Sequence, residues 1–222
     1  MGYVGGTRVP RPVLVTAVVA ALVTAGSLAA VASLRVARSG DHATIEASAS
    51  VPSVTPEREC GDGPCGLLAA RSAGGAQVEL RADTTGANGR VQVDGIVVPT
   101  TISELGARLT ADSLTCVTAT VSACLVGAPL KGGRVAQLLV GRGGGWQSVD
   151  KPYFSDAGVI VLDQVTGTDV PDVVVVQASP ALARVYALDG SAVGCTRKYA
   201  APSQLRGWPQ VHVLPADLRP CP

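Results

Sequence analysis

Six cysteines, at positions 60, 65, 116, 124, 195 and 221, are the densest concentration of reactive side chains in this 222-residue chain. Thiols in such numbers either ligate a metal or pair as disulfides. A structural zinc site asks for closely spaced cysteine pairs completed by further cysteines or histidines. The spacing here does not supply that pattern, and the only histidines are His42 and His212. Disulfides are therefore expected. Six cysteines allow fifteen pairings, of which sequence proximity favours Cys60–Cys65, Cys116–Cys124 and Cys195–Cys221. Cys116 and Cys124 flank a turn between two expected strands, and a Cys195–Cys221 bond would pin the tail to the body.

Other chemistry is thinly supplied. No G-x-S-x-G elbow or H-E-x-x-H motif occurs, so these two hydrolase signatures are absent. The run Gly141–Gly145 lacks the Gly-Lys-Ser/Thr ending of a phosphate loop and reads as a β-turn. His212 has no evident catalytic partner, and His42 reads as a solvated linker residue. Carboxylates such as Asp150, Asp156 and Asp163 could serve glycoside hydrolysis if paired on facing loops. Trp146, Trp208 and Tyr153, with Phe154 and Tyr186, stand out because aromatics make up only 3% of the chain. Such rings either stack on sugars and anchor interfaces or plug a core. Trp146, Trp208 and Tyr153 are the binding candidates.

The elements that must position these residues begin after a long apolar stretch. Val13 to Leu34 contains no charged residue, and 22 residues of helix span about 33 Å, enough to cross a bilayer core of about 30 Å. Arg8 and Arg11 precede it, while Arg35 and Arg38 follow it. All six cysteines lie beyond it, which suits an oxidising compartment. Residues 1–12 are then cytoplasmic, 13–34 a transmembrane helix, and 60–222 an extracytoplasmic domain. The alternative is a secretory signal cleaved near Ala32, for which Ala30-Val31-Ala32 offers a site. Residues 35–59, rich in Ser, Ala and Pro, read as a spacer. A formal net charge of +1 argues against nucleic acid as a partner.

Beyond Cys60, short Val-rich runs separated by Gly, Pro and Asp indicate an all-β domain. Strands are expected at 77–83, 90–98, 114–119, 123–128, 134–140, 145–149, 158–164, 172–178, 183–188, 193–198 and 210–214. One short helix is expected at 101–109. VGAPLKGGRVAQL, from Val126, lies over VQASPALARVYAL, from Val176, at an offset of 50. The order strand, turn, strand, loop, strand, turn, strand recurs from about Leu114 to Val149 and from about Gly158 to Tyr199. A looser copy begins at Cys65. Antiparallel four-stranded units of this length are the size of propeller blades. The architectures that follow are an incomplete β-propeller-like array, a β-sandwich of the same hairpins, or a ring closed only in an oligomer. The tail near Val211–Leu214 is a candidate to complete the unit that starts at Leu114.

CLVGAPLKGGRVAQLLVGR and LDQVTGTDVPDVVVV resemble the FG-GAP-type repeat of integrin-like propellers, over about 90 residues. The broader order of anchor, Cys-x4-Cys, Val-rich repeats and Cys-terminated tail resembles uncharacterised secreted proteins of actinobacteria. The FG-GAP resemblance implies a calcium site in the acidic loop, with Asp163, Asp169 and Asp172 as ligands, because Ca²⁺ takes six to eight hard oxygens. Val165 and Thr168 stand where further oxygen ligands are expected, and a turn with capping aspartates is the competing account. No other cofactor is expected. The function this supports is a membrane-tethered, non-catalytic binding or scaffolding module outside the cytoplasm, with an envelope protein or glycan as partner. The alternative is a secreted glycan hydrolase built on carboxylates.

Overall fold

The computed structural model describes residues 59–222 except residues 62 and 168. The expected cytoplasmic segment, membrane helix and nearly all of the spacer lie outside the described residues. A two-stranded ribbon, β1 (Glu59–Cys60) with β2 (Gly63–Pro64), is closed by the Cys60–Cys65 disulfide.

The first large sheet is a meander of β3 (Gly66–Ala73), β4 (Ala76–Ala82), β5 (Gly89–Val93) and β6 (Ile96–Pro99). The second orders β7 (Leu114–Val117), β8 (Ser122–Leu130), β9 (Gly133–Arg142) and β10 (Gly145–Ser148), and the short β11 (Tyr153–Ser155) also pairs with β9. The third orders β12 (Ile160–Asp163), β13 (Asp172–Ala178), β14 (Ala181–Tyr186) and β15 (Ala192–Cys195). Among the described residues every pairing is antiparallel, and none of the sheets closes on itself. The all-β expectation holds, and the strand order repeats three times.

Packing runs along the stack. Val78, Leu80 and Ala82 of the first sheet share one core with Cys124, Val126, Ala128, Val135 and Leu139 of the second. The opposite face of the second sheet, with Ala123, Leu125, Ala136, Leu138 and Val140, packs on Ile160, Val173 and Val175 of the third. The far face of the third sheet, with Val174, Val176, Ala183 and Val185, is covered by Leu205, Val211 and Val213 of the C-terminal segment. β8 and β9 are thus buried on both faces, which explains their continuous apolar runs.

Several expectations change at this level. The 90–98 strand is two strands, broken by an Asp94-Gly95 turn in which both residues have positive φ (47° and 83°), as a tight hairpin turn requires. The expected helix is a single 3₁₀ turn at Thr101–Ser103, because Gly106 (φ 88°) ends it before a second turn forms. Tyr153–Ser155 is a strand not anticipated from the sequence, and Gly66–Ala73, foreshadowed only by the looser copy from Cys65, is a full strand. Residues 210–214 form no strand, and they pack on the third sheet rather than completing the second.

The offset of 50 is not a structural equivalence either. Val126 and Val135 face the preceding sheet, whereas Val176 and Val185 face the following segment. Side chains alternate faces with period two, so the matched residues point in opposite directions along the stack. What recurs is strand order, not residue positions.

Candidate functional site

All three disulfides form, with the pairing that proximity favours. Cys116 and Cys124 are directly opposed across β7 and β8, with Cα atoms 4.0 Å apart. Cys195 and Cys221 join β15 to the tail, beside a pair of main-chain hydrogen bonds between Cys195 and Arg219, each 2.9 Å. No free cysteine is present among the described residues.

The three aspartates of the acidic loop have separate partners. The Asp172 carboxylate is buried and accepts hydrogen bonds from the Val165 and Thr166 amides at 3.2 and 2.9 Å. Asp163 accepts from the Val213 amide at 3.2 Å and lies 3.4 Å from His212 Nδ1, so it ties the third sheet to the tail. Asp169 has an exposed side chain, and its carbonyl accepts the Thr120 amide at 3.0 Å. Two of the three carboxylates are occupied by main-chain donors, and Val165 is fully buried instead of offering a ligand. Among the described residues, no three His, Cys, Asp or Glu side chains come close enough to hold a metal ion. Asp163 and Asp172 thus cap main-chain amides, as the competing account of this loop has it.

The aromatic candidates also move inward. Trp146 is 8% exposed and belongs to the core between the first and second sheets. Tyr153 is 6% exposed, packs at 5.3 Å (centroid to centroid) on Tyr186, and sits between the second and third sheets. Burial, with Tyr186 and Asp189 nearby, pushes the Tyr153 phenol up to about 12. Both rings are largely covered by the sheets, and Trp146 also borders a cleft lined by the Gly141–Gly145 turn. Trp208 is half-buried where the tail meets the third sheet. The prominent exposed ring is Phe154. Of the carboxylates considered for hydrolysis, Asp156 accepts the Ala178 amide at 2.7 Å, and Asp150 is exposed.

A cleft of about 230 Å³ opens instead where the second sheet, the β12 edge and the tail meet. Its apolar wall comes from Leu125, Ala136, Ile160, Leu162 and Val211, and its polar groups from Ser113, Thr115, Arg134 and His212. The half-buried Arg134 donates to the Gly127 carbonyl at 3.1 Å. A side chain at position 127 would crowd that guanidinium, since a Cβ there would lie 3.2 Å from Nε. Burial pushes the Arg134 pKa down, and Asp112 partly offsets it. Sequence reasoning passed over Arg134. The readable signal was a guanidinium one residue before a run of apolar positions.

Compared with protein-family models, with curated proteins and with solved structures, the chain has no match.

Proposed function

We propose that this chain is a membrane-tethered binding or scaffolding module whose β domain stands outside the cytoplasm. The observation that supports this most is the set of three disulfides, all placed after the uncharged Val13–Leu34 stretch. Disulfides persist in oxidising compartments and are rare where glutathione and thioredoxin keep thiols reduced. The three meanders then serve as blade-like layers of an open, propeller-like stack. Their job is to hold loops and the Arg134 cleft at a fixed geometry, 25 spacer residues from the bilayer (residues 35–59).

Fractionation of cells expressing the full chain tests this reading. The protein should resist alkaline carbonate extraction, its domain should be digested by protease added outside, and its thiols should react with a membrane-impermeant maleimide only after reduction. Recovery in the cytoplasmic fraction with six reactive thiols would overturn it. A mature form starting just after Ala32 in the medium would replace the tether with secretion and leave the compartment unchanged.

A further inference from the structure

Charge is not spread evenly over the described region. Residues 59–194 carry nine basic and thirteen acidic side chains, whereas 195–222 carry Arg197, Lys198, Arg206 and Arg219 against Asp217 alone. Three of those four cations line a single cleft of about 370 Å³ between the third sheet and the tail, with Thr196 and Gln204 as neutral polar neighbours. Like charges gathered in one concavity repel one another and raise the local concentration of anions.

Among the described residues, none of the three guanidiniums lies within ion-pair distance of a carboxylate; the two such contacts are Arg81–Glu79 and His212–Asp163. Asp217 lines the cleft too, but its carboxylate accepts the Leu214 amide at 3.4 Å. The backbones that carry the arginines are fixed. Arg219 is paired to Cys195 by two main-chain hydrogen bonds beside the Cys195–Cys221 disulfide. The Arg206 carbonyl accepts the His212 amide at 3.0 Å, next to the buried Leu205. Arg197 lies over the Tyr199 ring, 4.9 Å from its centroid.

We propose that this cleft binds a phosphate group, with Arg197, Arg206 and Arg219 as its anion ligands. A guanidinium is a planar fork that donates two parallel hydrogen bonds to phosphate oxygens. A carboxylate presents two oxygens in one plane and is matched by one such fork. Three forks around one cleft suit a tetrahedral group with more oxygens and more charge. The site is distinct from the Arg134 cleft, the two meeting only at His212. It does not depend on the tether. The disulfide is part of the site, because it holds the end of β15, two residues before Arg197, against the segment bearing Arg219.

The test is ³¹P NMR and calorimetry on the full chain in an uncharged, phosphate-free detergent. Inorganic pyrophosphate probes a free phosphate source, and glycerol 3-phosphate, a monoester, probes the headgroup of a phosphatidate-type lipid. Saturable binding of either supports the site, and the tighter of the two names the source. Arg206→Gln and Arg219→Gln should each weaken binding about tenfold, the cost of one charge-assisted contact, while Arg71→Gln on the first sheet should not change it. The paired change Cys195→Ser with Cys221→Ser should also weaken it in protein whose circular dichroism is retained. No saturable binding of either probe at millimolar concentration would overturn the proposal. So would citrate binding as tightly as pyrophosphate, or Arg71→Gln weakening binding as much as Arg206→Gln.

Discussion

The first and second sheets are built from the same four-stranded meander, yet their strands read differently. In β4, Val78, Leu80 and Ala82 point into the core, while Gln77, Glu79 and Arg81 point outward. In β8 and β9, consecutive residues are buried, because one face meets the first sheet and the other meets the third. A sheet with one wet face must alternate, and a sheet between two others need not. The stack therefore ends at its N-terminal side by composition, since the outer face of the first sheet is dominated by Gln77, Glu79, Arg81 and Gln92. At the other side it ends by a cap. The third sheet has an apolar far face, and Leu205, Val211 and Val213 keep water from it.

The strongest way to break this comparison is to remove the cap. Truncation after Tyr199 exposes Val174, Val176 and Val185 and is expected to abolish folding, giving aggregate on gel filtration. The paired change Cys195→Ser with Cys221→Ser removes only the staple, and a 26-residue separation predicts a loss of about 3.5 kcal/mol in denaturant unfolding. A soluble, cooperatively unfolding truncation would show that the third sheet needs no cover.

Leu138→Ala, in the doubly covered sheet, should cost about 2–5 kcal/mol. Gln137→Ala should cost about 2 kcal/mol for a different reason. The Gln137 side chain is fully buried, accepts the Thr101 amide at 2.8 Å and donates to the Pro99 carbonyl at 3.2 Å. Its loss removes these bonds, and the one it donates to Ser148 Oγ at 2.7 Å, at the seam between the first two sheets.

Tyr153→Phe sharpens the contrast through pH. The phenol is raised from 10.0 to about 12 by burial, and its hydroxyl is buried without a hydrogen-bond partner. A raised folded value means its contribution is complete below pH 10 and is lost as pH climbs from 10 to 12. The variant should be as stable as the parent at neutral pH, or up to about 1 kcal/mol more stable, and its alkaline unfolding limb should flatten. Asp83 gives the acid counterpart in the first sheet, where Asn88 and the Thr85 and Ala87 amides lower it to about 2. Its contribution is present above pH 3.8 and is lost as pH falls toward 2, which proton exchange in the β4–β5 loop would register. Smallest of all, Glu79→Ala on the wet face should move stability by no more than about 0.5 kcal/mol. A loss comparable to that of Leu138→Ala would erase the difference between the two sheets.

Much of this is legible in the residues alone. The Val-rich runs bounded by Gly, Pro and Asp marked most strands, and the cysteine spacing marked the three bridges, because both signals are local. The misses were also local in origin. Asp94-Gly95 is a hairpin signal that was overrun by the apolar residues on either side, and Gly66–Ala73 hid in small residues. The site was less legible. Asp163, Asp169 and Asp172 look like ligands in one dimension, but main-chain amides claim two of them. Trp146 and Tyr153 look like contact residues, but two sheets close over them.

By itself the sequence determined the all-β class and the recurring strand order, favoured the three disulfides by proximity, and set an uncharged apolar stretch apart from the cysteines. Each depends on residues near one another in the chain or on composition alone. Tertiary structure decided which face of each strand met which neighbour, so an offset of 50 that matched letters mismatched directions. It also gathered Arg197, Arg206 and Arg219 into one cleft. The physical reason is the same in both cases. Side-chain direction follows the period of the strand, but what lies in that direction depends on how layers pack and where a disulfide returns the chain.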